Sequence, residues 1–474
     1  MSSSTIEPAD GLPQPQRRWS ILTIAVGLAM SVVDGAIANV ALPTIAGDLH
    51  AEPAFSIWIV NGYQLAITIS LLPLASLGEI VGYRRVYLTG LCLFTLASAF
   101  CALSHTLLFL TIARIVQGFG AAGLMSVNAA LVRFTYPRAF LGRGIGRNAL
   151  VVAVSSAAGP TLAAGILAVG SWPYLFAVNI PLGVIAFVLG WRSLPHTARA
   201  ARSFDWPSAG LSAITFGLGI FAVDSIGHGE PLLRSLIELG ISLTAAALLF
   251  YRETKVAAPL LPVDLLRIPI FALSIATSIA SFSAQMLAFV ALPFYLQRRF
   301  GYSAVHMGLL MTPWPIIVAF AAPLAGRLVE IYPAGLLGGI GLLLLAAGLA
   351  SLAFVPDNPT SFDFIWRMAL SGFGFGLFQT PNNRTMIAAA PRERSGGASG
   401  MLGTARLLGQ TTGATLVALL LGRYSPAEGT RIALFVGVGF ALWGALLSIL
   451  RLSSAGKRGA EHVRVREGQR MKGE

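Results

Sequence analysis

The chain has 474 residues, of which 55% are hydrophobic and 11% charged, with a mean hydropathy of +0.74. Soluble domains carry about 25% charged residues, so a water-soluble fold of this length is excluded and lipid is the remaining solvent. The net charge of +13 would suit a nucleic-acid partner, but its distribution along the chain excludes that reading.

Each spanning helix needs roughly 20 mostly apolar residues, and a helix satisfies its backbone polar groups internally. Residues 1–18 form a polar N-terminal tail ending in Arg17-Arg18, and the apolar run after it is too long for a signal-peptide core, so it reads as an uncleaved first span. Fourteen spans follow, near 19–42, 56–77, 86–105, 107–131, 145–168, 172–192, 207–226, 233–251, 269–295, 304–326, 335–355, 362–386, 398–422 and 429–451. The expected fold is an all-α polytopic membrane protein. Cys92 and Cys101 sit nine residues apart in one apolar run, about 13 Å along a helix axis, which excludes a disulfide between them. Residues 453–474 read as a disordered, basic tail at the lipid headgroups.

An even number of spans places both termini on one side. With that side cytoplasmic, 25 of the 33 Lys and Arg fall inside, five outside (Arg234, Arg298, Arg299, Arg423, Arg431) and three in the membrane (Arg114, Arg367, Arg406). The positive-inside rule therefore predicts cytoplasmic termini, and the basic excess is a membrane-surface signal with no nucleic acid implied.

The chain repeats itself. Residues 137–164 and 391–418 align without gaps at an offset of 254, sharing 8 of 28 residues, among them Pro137/Pro391, Gly146/Gly400 and Gly159/Gly413. Arg114 with Gly118-Phe-Gly120 echoes Arg367 with Gly372-Phe-Gly374, and Glu79 in its loop echoes Glu330. The repeat predicts two six-helix bundles, 19–202 and 259–452, separated by a two-helix insert, 203–258. Parallel repeats of this kind bind substrate near the midplane between halves.

Several motifs carry a family resemblance. Span 1 reads Asp34-Gly-Ala-Ile-Ala-Asn39-Val-Ala-Leu-Pro43, and the loop after span 2 reads Ala75-Ser-Leu-Gly-Glu79-Ile-Val-Gly82-Tyr-Arg84-Arg85. Arg114-Ile-Val-Gln117-Gly118 stands in span 4, Gly159-Pro160 in span 5, Trp172 and Phe176-Ala-Val-Asn179-Ile-Pro181 at the entry to span 6, and Phe204-Asp205-Trp206 before the insert. Together these resemble the fourteen-helix drug:proton antiporters of the major facilitator superfamily. The resemblance implies proton-coupled export of lipophilic, cationic compounds across a bacterial inner membrane by alternating access. It implies no cofactor, no metal and a monomeric chain whose partners are protons, small molecules and the bilayer. It assigns Glu79, Gly82, Arg84, Arg85 and Glu330 to loop gating and Gly159 and Pro160 to antiporter packing. The chain departs from the pattern at Ala75, Glu79 and Ile80, and Ala163-Ala164 replace two glycines, which makes close helix contact there harder.

Ionisable groups at membrane depth are costly and default to function. Asp34 lies near the middle of span 1 and can carry the coupled proton or face a cationic substrate; a structural ion pair is the alternative. Arg114 stays charged at any accessible pH, and the family motif implies that it assists Asp34. Asp224, late in span 7, is a secondary acid. Arg367 has Asp363 one turn earlier, which suits a helix-face salt bridge, and Arg406 faces either a cavity or the inner vestibule. Aromatic and amide residues can line a pocket for flat cations through cation–π contacts: Trp58, Tyr63, Gln64, Phe282, Gln285, Phe289, Gln379 and Asn382. Gly118-Phe-Gly120-Ala-Ala-Gly123 matches a dinucleotide fingerprint only literally, because it lies inside an apolar helix with no strand before it. No Gly-Lys-Ser/Thr phosphate loop occurs, so ATP is not the expected energy source. A membrane enzyme or receptor lacks any supporting constellation, and a transporter of one specific metabolite remains the second reading.

Overall fold

The computed structural model describes residues 11–137, 140–197, 199–201, 203–227, 230–255, 263–390 and 395–470. Its regular elements, among the described residues, are helices: α1 (Gln16–Asp48), α2 (Pro53–Ser56), α3 (Trp58–Val81), α4 (Tyr83–Ala102), α5 (Leu107–Thr135), α6 (Leu141–Val169), α7 (Pro173–Ala177), α8 (Asn179–Ser193), α9 (Trp206–Gly227), α10 (Leu232–Glu253), α11 (Pro269–Phe300), α12 (Ala304–Met311), α13 (Pro313–Leu328), α14 (Ala334–Ala353), α15 (Ser361–Ala389), α16 (Ser395–Arg423) and α17 (Pro426–Arg470), with a 3-10 turn at Val263–Arg267. Three expected spans are broken near one end, where α2 meets α3, α7 meets α8 and α12 meets α13. That end is called the far end below, and the end where α1 begins is the terminal end.

Among the described residues eleven helices are long and apolar enough to cross a membrane, or twelve if α6, bent by 41°, is one span. The others of span length, α15 and α16, have 29 residues each. They fall short on composition, because α15 carries Asp363, Arg367, Gln379, Asn382, Asn383 and Arg384, and α16 carries Arg406, Gln410 and four threonines. The C-terminal segment departs from expectation. Instead of ending near Leu452, α17 runs 45 residues to Arg470, since no proline interrupts 453–470 and a formed helix propagates at little cost per residue.

Helix pairing follows the internal repeat. α3 and α4 both pack on α5, α1 packs on α6 and α8, and α4 on α8; in the second half α13 and α14 pack on α15, α11 on α16 and α17, and α14 on α17. The match extends to single glycines. A Cβ on Gly90 would stand 2.9 Å from the Gly120 carbonyl oxygen, and one on Gly341 would stand 2.6 Å from that of Gly374. Likewise Gly118 meets the Tyr63 carbonyl at 2.5 Å, and Gly372 that of Trp314 at 2.4 Å. Small residues let helix backbones meet where lipid supplies no hydrophobic drive. These contacts also correct the repeat partner of Arg114. With Gly118 equivalent to Gly372, Arg114 corresponds to Met368, and Arg367 lies one residue, about 100° of helix, off register. Arg367 instead bonds Asp363 at 3.0 Å and the Ser351 carbonyl at 3.0 Å.

The α9–α10 hairpin lies against both halves, α9 touching α3 and α16. Asp205 holds its terminal end. It accepts from the Ser208 amide at 3.2 Å, the Ser208 hydroxyl at 2.9 Å and Arg252 of α10 at 2.9 Å. Partial burial alone would raise this carboxyl, but the bonds from Arg252 and Ser208 hold it below the usual carboxylate range. A lowered folded pKa contributes stability above the unfolded value and loses it as pH falls through the folded one. Asp205→Asn is therefore expected to loosen the hairpin at neutral pH, by about 1 kcal/mol or less because Arg252 is half-exposed, and to matter progressively less as the pH is lowered into the acid range. Hydrogen exchange of α9 amides at neutral and acid pH measures this.

The core is asymmetric along the membrane normal. At the far end one apolar cluster joins both halves, including Ile37 and Leu42 of α1, Leu292 of α11, Leu310 of α12 and Val417 of α16. Toward the terminal end the core divides into a cluster around Tyr87 and Leu131, which Leu407 of α16 joins from the second half, and a second-half cluster around Phe271 and Met401. At the seam, a Cβ on Gly308 of α12 would stand 2.7 Å from the Pro160 carbonyl oxygen and 2.8 Å from the Ala164 Cβ, and Thr161 and Thr312 hydroxyls are 2.9 Å apart. The close approach that Ala163-Ala164 hinder on α6 is thus supplied by a glycine on the facing helix.

Candidate functional site

Asp34 sits mid-helix in α1, 2% exposed, in an apolar stretch that offers it no partner of its own. Two other helices supply them. Arg114 of α5 forms an ion pair with Oδ2, while Gln117 of α5 and Asn179 of α8 each donate to Oδ1 at 2.9 Å. Arg114 and Gln117 are one turn apart on one face of α5, and Arg114 also donates to Gln117 Oε1 at 2.6 Å and to the Ile59 carbonyl at 3.1 Å. Gln117 in turn donates to Ser98 of α4 at 2.9 Å and accepts from Cys101 Sγ at 3.6 Å. The guanidinium, 0% exposed, lies 4.1 Å from the Tyr63 ring centroid and 5.5 Å from that of Phe176. The cluster thus cross-links α1, α4, α5 and α8 about one buried neutral pair. Desolvating two charges is repaid only when hydrogen bonds saturate them, as they do on the carboxylate; Arg114 Nη2 alone lacks an acceptor.

The expected pocket residues divide. Tyr63 roofs Arg114 and donates to the Ser31 carbonyl at 3.0 Å. Gln64 is buried next to it with an unpartnered Oε1. Phe282, Gln285 and Phe289 share one face of α11; Phe282 is buried edge-on to Phe375, and Phe289 is edge-on to Trp314 at 5.1 Å. Gln379 is half-buried on α15. Two residues are committed elsewhere. Trp58 stacks on Phe221 of α9 at 5.0 Å, because the insert covers that side of α3. Asn382 accepts from Arg451 at 2.6 Å and donates to Ser278 at 2.8 Å, holding α15 to α11 and α17 near the terminal end.

The loop motif binds within its own half. Gly82 has φ of +105°, a region that favours glycine, and so lets α3 turn directly into α4. Tyr83 N donates to Thr197 Oγ1 at 3.3 Å, the Ala200 amide donates to the Glu79 carbonyl at 2.7 Å, and Arg84 bonds His196 and the Trp191 carbonyl. The motif is tied to the segment between α8 and α9. Arg85 and Glu330 are exposed. The Gly159 backbone meets Ala36 of α1, where a Cβ would come within 2.4 Å of the Ala36 Cβ, and Pro160 forms part of the far-end seam. The Asp224 side chain lies outside the described residues.

The sequence profile described as Major Facilitator Superfamily matches residues 24–414. The chain belongs to this superfamily. It is similar to the uncharacterized transporter YebQ of Escherichia coli (strain K12), 56% identical over 95% of this chain and 99% of that protein. It is also similar to the riboflavin transporter RibZ of Clostridioides difficile (strain 630), 31% identical over 83% and 86%, and to the multidrug resistance protein Stp of Mycobacterium tuberculosis (strain CDC 1551 / Oshkosh), 30% identical over 86% and 76%. Its fold matches a solved bacterial homologue of the human lysosomal transporter Spinster, inward-facing, with a TM-score of 0.65 at 14% identity over 93% and 97%.

In this superfamily member Gln117 and Asn179, which the sequence motifs contain without assigning them a role, both bind the Asp34 carboxylate. An amide in an apolar helix carries no charge to signal its partner, and only the packing of α1 on α5 and α8 brings these side chains together. Ser98 and Cys101 gave no signal at all.

Proposed function

We propose that this transporter exports lipophilic small molecules by exchange for protons, with Asp34 as the proton site and Arg114 as its release partner. The observation that carries the reading is a carboxylate buried at mid-membrane whose negative charge is balanced by a single arginine. Asp34 can take a proton only if Arg114 moves off it, so proton binding is linked to a shift of α5 against α1. The proton is driven by about 2.3 kcal/mol per 100 mV of membrane potential. The expectation of cationic substrates rested on Asp34 being free to face them. Three donors already fill that carboxylate, so the reading keeps the proton and drops the cation. The drug-resistance relative supports export of toxic compounds; the riboflavin-transporting relative supports the alternative of a single metabolite.

The same reading takes residues 19–202 and 259–452 as two bundles that rock about the far-end seam, with 203–258 as an insert and with α15 and α16 as further spans, fourteen in all. Loop gating is taken to run through Glu79, Gly82, Arg84, Arg85 and Glu330. Both termini are placed in the cytoplasm of a bacterial inner membrane: a reporter fused after Leu452 is expected to be active only as a cytoplasmic reporter, and an active periplasmic phosphatase there would contradict the orientation.

The test of function is a resistance and accumulation profile in a drug-hypersensitive bacterium expressing the chain. Lower accumulation of several unrelated compounds, abolished by an uncoupler, supports the multidrug reading. Protection against one compound supports the alternative. Extrusion that persists in uncoupled, ATP-supplied vesicles defeats proton coupling.

A further inference from the structure

Among the described residues, Arg406 of α16 has no carboxylate paired with it. Its Nε is buried with no acceptor among the described residues, and Tyr63 lies within its electrostatic reach. The geometry of α16 gives its direction. Gly403 faces Leu71 of α3, and Gly409 faces Ile279 and Phe282 of α11. Arg406 lies midway between the two glycines, about 60° from each around the helix, so its side chain points between the halves. On one side Tyr63, with Gln64 beside it in sequence, lies within its electrostatic reach, and on the other Gly409, one turn along α16, packs on Phe282 of α11. The nearby Asp34–Arg114 pair is neutral as a unit, so the described side chains around Arg406 leave its positive charge unbalanced.

A partly buried cation whose Nε bonds nothing described is costly and persists where something else offsets it. Resting on the export reading above, we propose that the transported compound is an aromatic or conjugated molecule bearing an anionic group, a carboxylate or acidic enol, and that Arg406 binds that group between the two halves. The guanidinium fork suits a planar oxyanion, and the flanking aromatic rings suit a flat framework. The Tyr63 ring stacks on Arg114 of the proton site at 4.1 Å and also lies within electrostatic reach of Arg406.

The test uses the purified full chain and three matched probes: 2-naphthoate, 2-naphthylmethanol and 2-naphthylmethylammonium. Thermal unfolding is followed as each is titrated. 2-Naphthoate is expected to stabilise the protein at concentrations about tenfold below the other two, a difference set by one charge-assisted bond. Arg406→Gln should abolish that preference, and Arg406→Lys should keep part of it. Without any probe, Arg406→Gln should unfold at no lower a temperature than the unsubstituted protein, because its Nε bonds no described group; an arginine that braced the fold would give the opposite. Equal or tighter binding of the neutral or cationic probe, no stabilisation by any of the three, or a carboxylate preference that survives Arg406→Gln would each overturn the proposal. Uncoupler-sensitive efflux with any of these results leaves the export reading standing, so the two fail separately.

Discussion

Asp34→Asn is expected to stop proton-coupled transport and also to destabilise the protein by about 3–5 kcal/mol, the usual result of stranding one partner of a buried pair. The substitution conserves volume, and on volume alone the fold should survive it unchanged. The structure shows why volume is the wrong criterion. Arg114 is fully buried, its counter-charge is Asp34, and its other acceptors are the neutral oxygens of Ile59 and Gln117. An amide in place of the carboxylate also turns its NH2 either toward Arg114 or, flipped, toward Gln117 and Asn179, all of them donors. Asp34→Asn combined with Arg114→Gln should therefore recover most of the lost stability without recovering transport. Thermal unfolding in detergent measures the first, and uncoupler-sensitive efflux measures the second. A single Asp34→Asn variant as stable as the unsubstituted protein would mean that Arg114 finds another partner.

Gly308→Val is expected to trap the protein away from the state described here. The added Cβ meets the Pro160 carbonyl oxygen at 2.7 Å and the Ala164 Cβ at 2.8 Å. One neighbour is backbone, and neither can swing aside. Overpacking of this kind costs about 1–3 kcal/mol. Inside a bundle that energy would lower stability; at the seam between halves it falls on one conformation only. About 2 kcal/mol moves a two-state equilibrium roughly thirtyfold. Thr161→Cys and Thr312→Cys, replacing hydroxyls 2.9 Å apart, in a Cys92→Ala background, give the readout. The pair should cross-link readily under oxidation, and Gly308→Val should suppress the cross-link and the transport while leaving the unfolding temperature of the separate bundles little changed. Efficient cross-linking in Gly308→Val would show that the seam yields.

Much of the fold could be read from the sequence because lipid leaves the backbone few options: apolar runs of the right length become helices. The repeat was legible too, since Gly120 and Gly374 perform the same close approach in both halves. Legibility stopped where position around a helix matters. Arg367 looked like the counterpart of Arg114, but one residue of register turns it to Asp363 and Ser351. Arg406 had two open directions until Gly403 and Gly409 fixed the rotation of α16. Trp58 and Asn382 read as pocket residues by chemistry alone; the insert claims the first and Arg451 the second. The site itself was half visible. A charge in an apolar helix announces itself, as Asp34 and Arg114 did, whereas the amides of Gln117 and Asn179 take their meaning only from the helices packed across from them.

The central claim is that Asp34 carries the transported proton. It is tested most directly by proton movement in proteoliposomes loaded with a pH-sensitive dye, using a compound selected by the resistance profile. With the unsubstituted protein, adding the compound should move protons in the opposite direction and at fixed stoichiometry, and Arg114→Lys should alter the pH at which this occurs. With Asp34→Asn combined with Arg114→Gln, downhill flux of the compound should persist while proton movement falls to the level of empty vesicles. Stoichiometric proton movement in that double variant would contradict the account.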